Sequence, residues 1–255
     1  MAGMCSSNQA RPPLPPISGG STDDRDLVLA AKDGNRFGAY AVRAAQPTGA
    51  GIVVMPDVRG LHPFYKELAR QFAGTGIDAV AIDYFGRTAG IGERSDDFDY
   101  KTHIPQTTPD HVAADVAAAI EHLRSKDGGS VASVFTVGFC FGGAMSWRQS
   151  AAQPGLSGAI GFYGRPAPVR DTIPKMKAPL LLLIAGADRA TPQEEFVKFD
   201  LELTEARVPH QKVVYQGASH SFFDRSFEEH KDACADAWRQ MLSFIKEYTR
   251  QPTRR

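Results

Sequence analysis

Cysteine is scarce in this chain: Cys5, Cys140 and Cys234 are the only three in 255 residues. They form no C-x-x-C pair and leave one thiol over whichever two are joined, so neither a disulfide framework nor a zinc site is expected, and a reducing cytoplasm is. An excess of one charge is also missing, with 29 Lys plus Arg against 29 Asp plus Glu. That balance excludes the basic field of a nucleic-acid binder and a polybasic membrane anchor, and leaves a small neutral or singly charged ligand as the expected partner. Long apolar runs are absent as well. No stretch approaches the roughly 20 residues needed to span a bilayer, and "MAGMCSSNQARPPLPPISGG" lacks the apolar core of a signal peptide. No membrane partner is expected, and Cys5 reads as a thiol in a tail. No histidine pair stands at metal-ligand spacing beside a third ligand, so no metal is expected either.

What the chain does contain is alternation. Residues 1–20, rich in Pro, Gly and Ser, read as a flexible tail, and organisation is expected from Asp26, where "DLVLAA" and "RFGAYAVRAA" flank the hairpin signal Asp33-Gly34. Short apolar strands then alternate with helices. "GIVVMPD" precedes a helix begun by Pro63, and "DAVAIDYF" precedes one capped by Thr108 with Pro109 in its first turn. "VASVFTVGF", "GLSGAIGFY", "APLLLLIAGAD" and "HQKVVYQG" read as further strands, and such continuous apolar runs suit parallel strands covered on both faces. Thr191, Pro192 and Glu194 resemble a helix start, Ser226 with Glu229 a capping box, and Cys234 belongs to the core face of the last helix. No repeat or interior linker interrupts the pattern. Residues 21–255 are therefore expected to form one α/β domain around a mostly parallel sheet.

In such sheets ligands bind beyond the carboxyl ends of the strands. Cys140 sits at one of those ends, in Gly138-Phe139-Cys140-Phe141-Gly142. This is the G-x-nucleophile-x-G pattern of a strand-to-helix turn, in which glycines admit close backbone approach and the nucleophile is held above the sheet. The helix that follows points its positive end at the sulfur and favours thiolate. A nucleophilic cysteine needs a base and the base needs an orienting group, expected here in the order acid, then histidine. Asp188 closes "LLLLIAGAD" at a strand end, and His220 lies in "GASHSFFD" between the last strand and last helix. Among the other histidines, His103 is the one rival.

The segments "GFCFGGA", "AGADRATP" and "GASHSF" resemble the dienelactone hydrolase family of α/β-hydrolases, with a likeness running from about Asp33 to Ile245. The resemblance implies an α/β-hydrolase fold and hydrolysis of a lactone through a thioester, without metal or organic cofactor. It implies Cys140 as nucleophile, His220 as base and later acid, Asp188 as orienter, and an oxyanion hole from the backbone N–H groups of Val58 and Phe141. Donors of that kind are worth about 3–4 kcal/mol each when deleted. The family usually has a thiol-activating glutamate where this chain has the shorter Asp57. It also uses arginines to hold a substrate carboxylate: "DYFGR" puts Arg87 on one of these positions, while the second is Asp224, with Arg225 one residue later. Asp224 is expected to face solvent and Arg225 to turn inward. The leading expectation is a cytoplasmic hydrolase of a small lactone or ester. The alternatives are a broad carboxylesterase or thioesterase and a non-catalytic small-molecule binder on a hydrolase fold.

Overall fold

A computed structural model describes residues 11–17 and 19–250; Cys5 and most of the predicted tail lie outside them. Eight strands form a single sheet: β1 (Ser21–Ala30), β2 (Arg36–Ala44), β3 (Ala50–Met55), β4 (Asp78–Ile82), β5 (Ser133–Phe139), β6 (Gly158–Phe162), β7 (Leu180–Ala185) and β8 (His210–Tyr215). Their spatial order is β1-β2-β4-β3-β5-β6-β7-β8. The β1–β2 and β2–β4 pairs are antiparallel and the remainder parallel. The Asp33-Gly34 signal does mark the first hairpin, and Gly34 supplies the positive φ of +86° that its turn requires.

The main helices are α1 (Pro63–Gly74), α4 (Pro109–Arg124), α5 (Phe141–Ala152), α6 (Gln193–Glu205) and α7 (Lys231–Tyr248), with two single-turn helices, α2 (Gly86–Ala89) and α3 (Tyr100–His103), in between. One face of the sheet packs against α1 and α7 through Phe64, Leu68, Phe72, Trp238 and Met241. The other packs against α4, α5 and α6 through Val116, Ile120, Trp147 and Phe199. β3, β5, β6 and β7 are buried along their whole length, which is why their sequences are apolar at every position rather than at alternate ones. Thr108 caps α4 by accepting the His111 N–H at 3.2 Å. His62 does the same for α1, its Nδ1 accepting the Phe64 N–H at 3.1 Å. Among the described residues no helix is long and apolar enough to cross a membrane.

Three expectations need correction. β1 begins at Ser21, five residues before the apolar pattern starts, because its first half is an exposed edge paired only to β2 and carries no alternation to read. The last helix begins at Lys231, not after Ser226; residues 227–229 form a 3-10 turn, and the Ser226 hydroxyl meets Ser219 Oγ at 3.1 Å instead of capping. The described part of the tail, residues 11–17, is not free chain. Pro12 and Pro13 are buried, and their carbonyls accept from Gln71 Nε2 at 3.1 Å and Trp238 Nε1 at 2.7 Å, strapping the first and last helices together.

Candidate active site

β3, β5, β6, β7 and β8 all run in the same direction and end at one edge of the sheet, where Pro56, Cys140, Tyr163, Gly186 and Gln216 follow them. Cys140 bridges β5 and α5 with φ +54° and ψ −113°, a backbone conformation that side chains other than glycine rarely adopt. The turn is held from two sides. The Cys140 N–H donates to the Phe162 carbonyl at 3.1 Å. Gly142 lies so close to β3 that a Cβ there would sit 2.2 Å from the Pro56 oxygen and 2.4 Å from that of Met55. Gly138 is equally committed, since its Cβ would fall 1.9 Å from the Gly142 oxygen. The thiol thus stands at the sheet edge, partly exposed.

Asp188 follows β7, and its side chain is fully buried. One oxygen accepts the Ala190 N–H at 2.7 Å; the other meets His220 Nδ1 at 2.7 Å. Burial works against the Asp188 charge, but these bonds outweigh it and hold the carboxyl below its usual range. With Nδ1 turned to Asp188, Nε2 of His220 is left for the thiol. Burial also disfavours imidazolium at His220, yet the Asp188 bond and the interaction with Cys140 raise it to about 10. The loop carrying the ring is braced from behind: the Ser219 N–H points to His230 Nε2 at 3.4 Å, and Ser221 takes a φ of +63°. His103 is remote from this arrangement and stacks on Phe98, with ring centroids 5.2 Å apart.

Of the two residues expected to form an oxyanion hole, Val58 lies in the loop after β3 and Phe141 is the first residue of α5, next to Cys140. Among the described residues neither N–H donates to another backbone group. The loop bearing Val58 is fixed by two tyrosines: the Asp57 N–H donates to Tyr65 Oη at 3.0 Å, and Tyr84 Oη donates to the Asp57 carbonyl at 2.7 Å.

The four auxiliary residues, Asp57, Asp224, Arg225 and Arg87, stand elsewhere than expected. Asp57 is buried and directed at Arg59, whose Nε lies 3.0 Å from both of its carboxylate oxygens. Asp224 does not face solvent; it is 2% exposed and accepts from the same guanidinium at 2.8 Å. Asp96 completes the set at 3.5 Å. Arg59, which the sequence reading passed over, is therefore the buried hub of three carboxylates, two of them buried with it, and nothing local in "DVRG" announces it. Burial and the neighbouring Asp57 charge raise Asp224 to about 6. Arg225 stays half exposed and reaches Asp57 only at 3.9 Å. Arg87 is a correction too. Its guanidinium is taken up by Asp33 at 2.6 Å and by the fully buried Asp115 at 2.8 Å, tying α2 to the first hairpin and to α4. Both forks of the guanidinium are occupied, so it has none to offer a substrate. Residues 87–108 fold back onto the site loop through the Arg94–Asp83 pair at 2.9 Å and the Asp96–Arg59 contact.

Solved structures share this architecture, which is the α/β-hydrolase fold. A protein of Klebsiella pneumoniae named "Putative Dienelactone Hydrolase" superposes with a TM-score of 0.75 at 24% identity, covering 89% of this chain and all of its own. A dienelactone hydrolase-like promiscuous phosphotriesterase from metagenomic libraries gives 0.76 at 23% identity, covering 91% of this chain and all of its own. The chain belongs to the dienelactone hydrolase family, whose model matches residues 37–249, and is a hydrolase acting on ester or lactone bonds. Among curated relatives, a protein of Escherichia coli K12 named "Putative carboxymethylenebutenolidase" is 28% identical over 230 residues, spanning 84% of each chain.

Two outcomes follow from the charges. Arg87→Ala strands the buried Asp115 carboxylate, which burial already pushes above its usual range against the pull of Arg87, so thermal unfolding should show a loss of about 3 kcal/mol. The kcat/KM ratio between carboxylate-bearing and neutral lactones should stay unchanged; a lost preference would return Arg87 to the site. His220, raised on folding, adds stability that is fully present below pH 6.5 and is lost as pH rises through about 10. Asp188→Asn should flatten that decline in urea unfolding measured between pH 6.5 and 10, and an unaltered decline would show that the pair does not hold the proton.

Proposed function

We propose that the chain is a cysteine-dependent hydrolase of a small lactone or ester, working through a thioester on Cys140 without metal or organic cofactor. The observation that carries this reading is the 2.7 Å contact between Asp188 and His220, which turns the free nitrogen of the ring toward a thiol held on a glycine-crowded turn. His220 Nε2 takes the proton from Cys140, and the sulfur attacks the substrate carbonyl carbon. The carbonyl electron pair moves to oxygen, where the Val58 and Phe141 N–H groups stabilise it. As that oxyanion collapses, the ring C–O bond breaks and the departing alkoxide receives the proton from His220. Water then gives a proton to His220, adds to the thioester carbon, and the second collapse releases the acid and the thiolate.

Asp57 takes no proton in this scheme. Its carboxylate is held by Arg59, and it serves to fix the loop that carries the Val58 N–H. Substrate charge is met by Arg225 alone, from the mouth of the site, which favours small substrates of either charge state over an obligatory carboxylate. The reduced, widely spaced thiols suit a reducing cytoplasm.

Cys140→Ala should abolish hydrolysis of aryl esters and small lactones while leaving the melting temperature within a few degrees, and His220→Ala should cut kcat/KM by at least a thousandfold. Retention of more than about a tenth of wild-type activity by Cys140→Ala would exclude the covalent route.

A further inference from the structure

Tyr163 has no part in the scheme above, yet it is placed as close to the nucleophile as the sheet permits. β5 and β6 are parallel and in register, with Phe139 opposite Phe162, so the next residues of the two strands, Cys140 and Tyr163, end side by side. Neighbouring parallel strands lie about 4.8 Å apart. Both residues leave their strands with positive φ, +54° and +38°, and for a bulky aromatic such a backbone is unfavourable. The Tyr163 ring packs on the His220 ring, centroids 4.9 Å apart, and against Phe222 at 5.6 Å.

The hydroxyl is the second anomaly. Tyr163 is completely buried, and its oxygen has no hydrogen-bond partner among the described residues. A buried hydroxyl without a partner is destabilising, and phenylalanine would fill the same space without that penalty. Asp224 from the approach to α7, Tyr65 and Asp57 from the β3–α1 region, and Cys140 from the β5–α5 turn lie near enough to act on it electrostatically, and the His220 ring packs on its own. Asp57 and Asp224 have their carboxylates engaged by Arg59, and the hydroxyl bonds to neither. Of the groups around it, Cys140 is the one that becomes an anion in that scheme, when its proton passes to His220.

We propose that the Tyr163 hydroxyl donates to the negative charge that develops on the Cys140 sulfur, a second contact to the thiolate beside that of His220. A hydroxyl with no competing acceptor is free to donate to an anion formed beside it, and so stabilises that charge. It does so on the sulfur side of the scissile bond, away from the N–H groups of Val58 and Phe141. This assignment rests on Cys140 being the nucleophile.

The test is Tyr163→Phe, read in three ways. Iodoacetamide labelling of Cys140 is followed on its own peptide by mass spectrometry, so that Cys5 and Cys234 do not contribute. The pH midpoint of labelling should rise by about one unit, a tenfold loss of thiolate at neutral pH. The kcat/KM for an aryl ester should fall at least tenfold, and the melting temperature should hold or rise. Superimposable labelling profiles would overturn the proposal, even if hydrolysis slowed, because the hydroxyl would then serve the acyl group and not the sulfur. Unfolding of the variant would overturn it as well, by making the hydroxyl structural. Wild-type protein that keeps its activity after full labelling of Cys140 would instead remove the nucleophile assignment on which the proposal depends.

Discussion

Everything at the carboxyl edge of the sheet depends on the turn at Cys140. A residue with a side chain is held there in a glycine-like conformation, a cost of about 1–3 kcal/mol that the surrounding crowding makes unavoidable. Gly138 and Gly142 allow the backbone of α5 to press against β5 and β3, and the Cys140 N–H bond to Phe162 fixes the same turn against β6. A chain so confined has one way to carry its side chain, outward above the strand ends. The Asp188–His220 pair and the loop N–H groups are arranged about the position that this constraint creates.

Behind the thiol lies a second organising feature, the guanidinium of Arg59 with Asp57, Asp96 and Asp224 around it. Buried ion clusters are weak sources of net stability, because desolvation offsets most of their attraction. Their value here is positional. Arg59 joins the loop after β3, the 87–108 segment and the approach to α7, three stretches distant in sequence that must keep a common geometry around one small site. The cluster also keeps two carboxylates turned toward Arg59 and away from the thiol proposed as the nucleophile.

The fold, and the grouping of the candidate site's central residues, were legible because their signals are local. Apolar runs alternating with capped helices mark a parallel sheet, and Cys140, Asp188 and His220 each stand just past a strand with turn residues beside them. The auxiliary residues were not legible for a corresponding reason. Asp224 near a helix start reads as a surface charge, and only its pairing with Arg59, 165 positions away, reveals that it is buried. Arg87 reads as free until Asp33 and Asp115 converge on it from a hairpin and a helix. The start of β1 escaped notice because an exposed edge has no apolar alternation. The Ser226–Glu229 capping box misled because the serine is spent on the loop that holds His220. Tyr163 gave no signal, since a tyrosine closing an apolar strand looks like ordinary core.

The central claim is that acyl transfer passes through the Cys140 sulfur. Rapid-quench intact mass spectrometry with a slowly deacylating aryl ester tests it most directly. In the wild-type enzyme, quenched while acylation outpaces deacylation, a protein adduct of the acyl mass should accumulate, map to the peptide containing Cys140, and be released by hydroxylamine as a thioester is. An adduct on any other residue, or steady turnover of the wild-type enzyme with no acylated protein under conditions where acylation outpaces deacylation, would contradict the account.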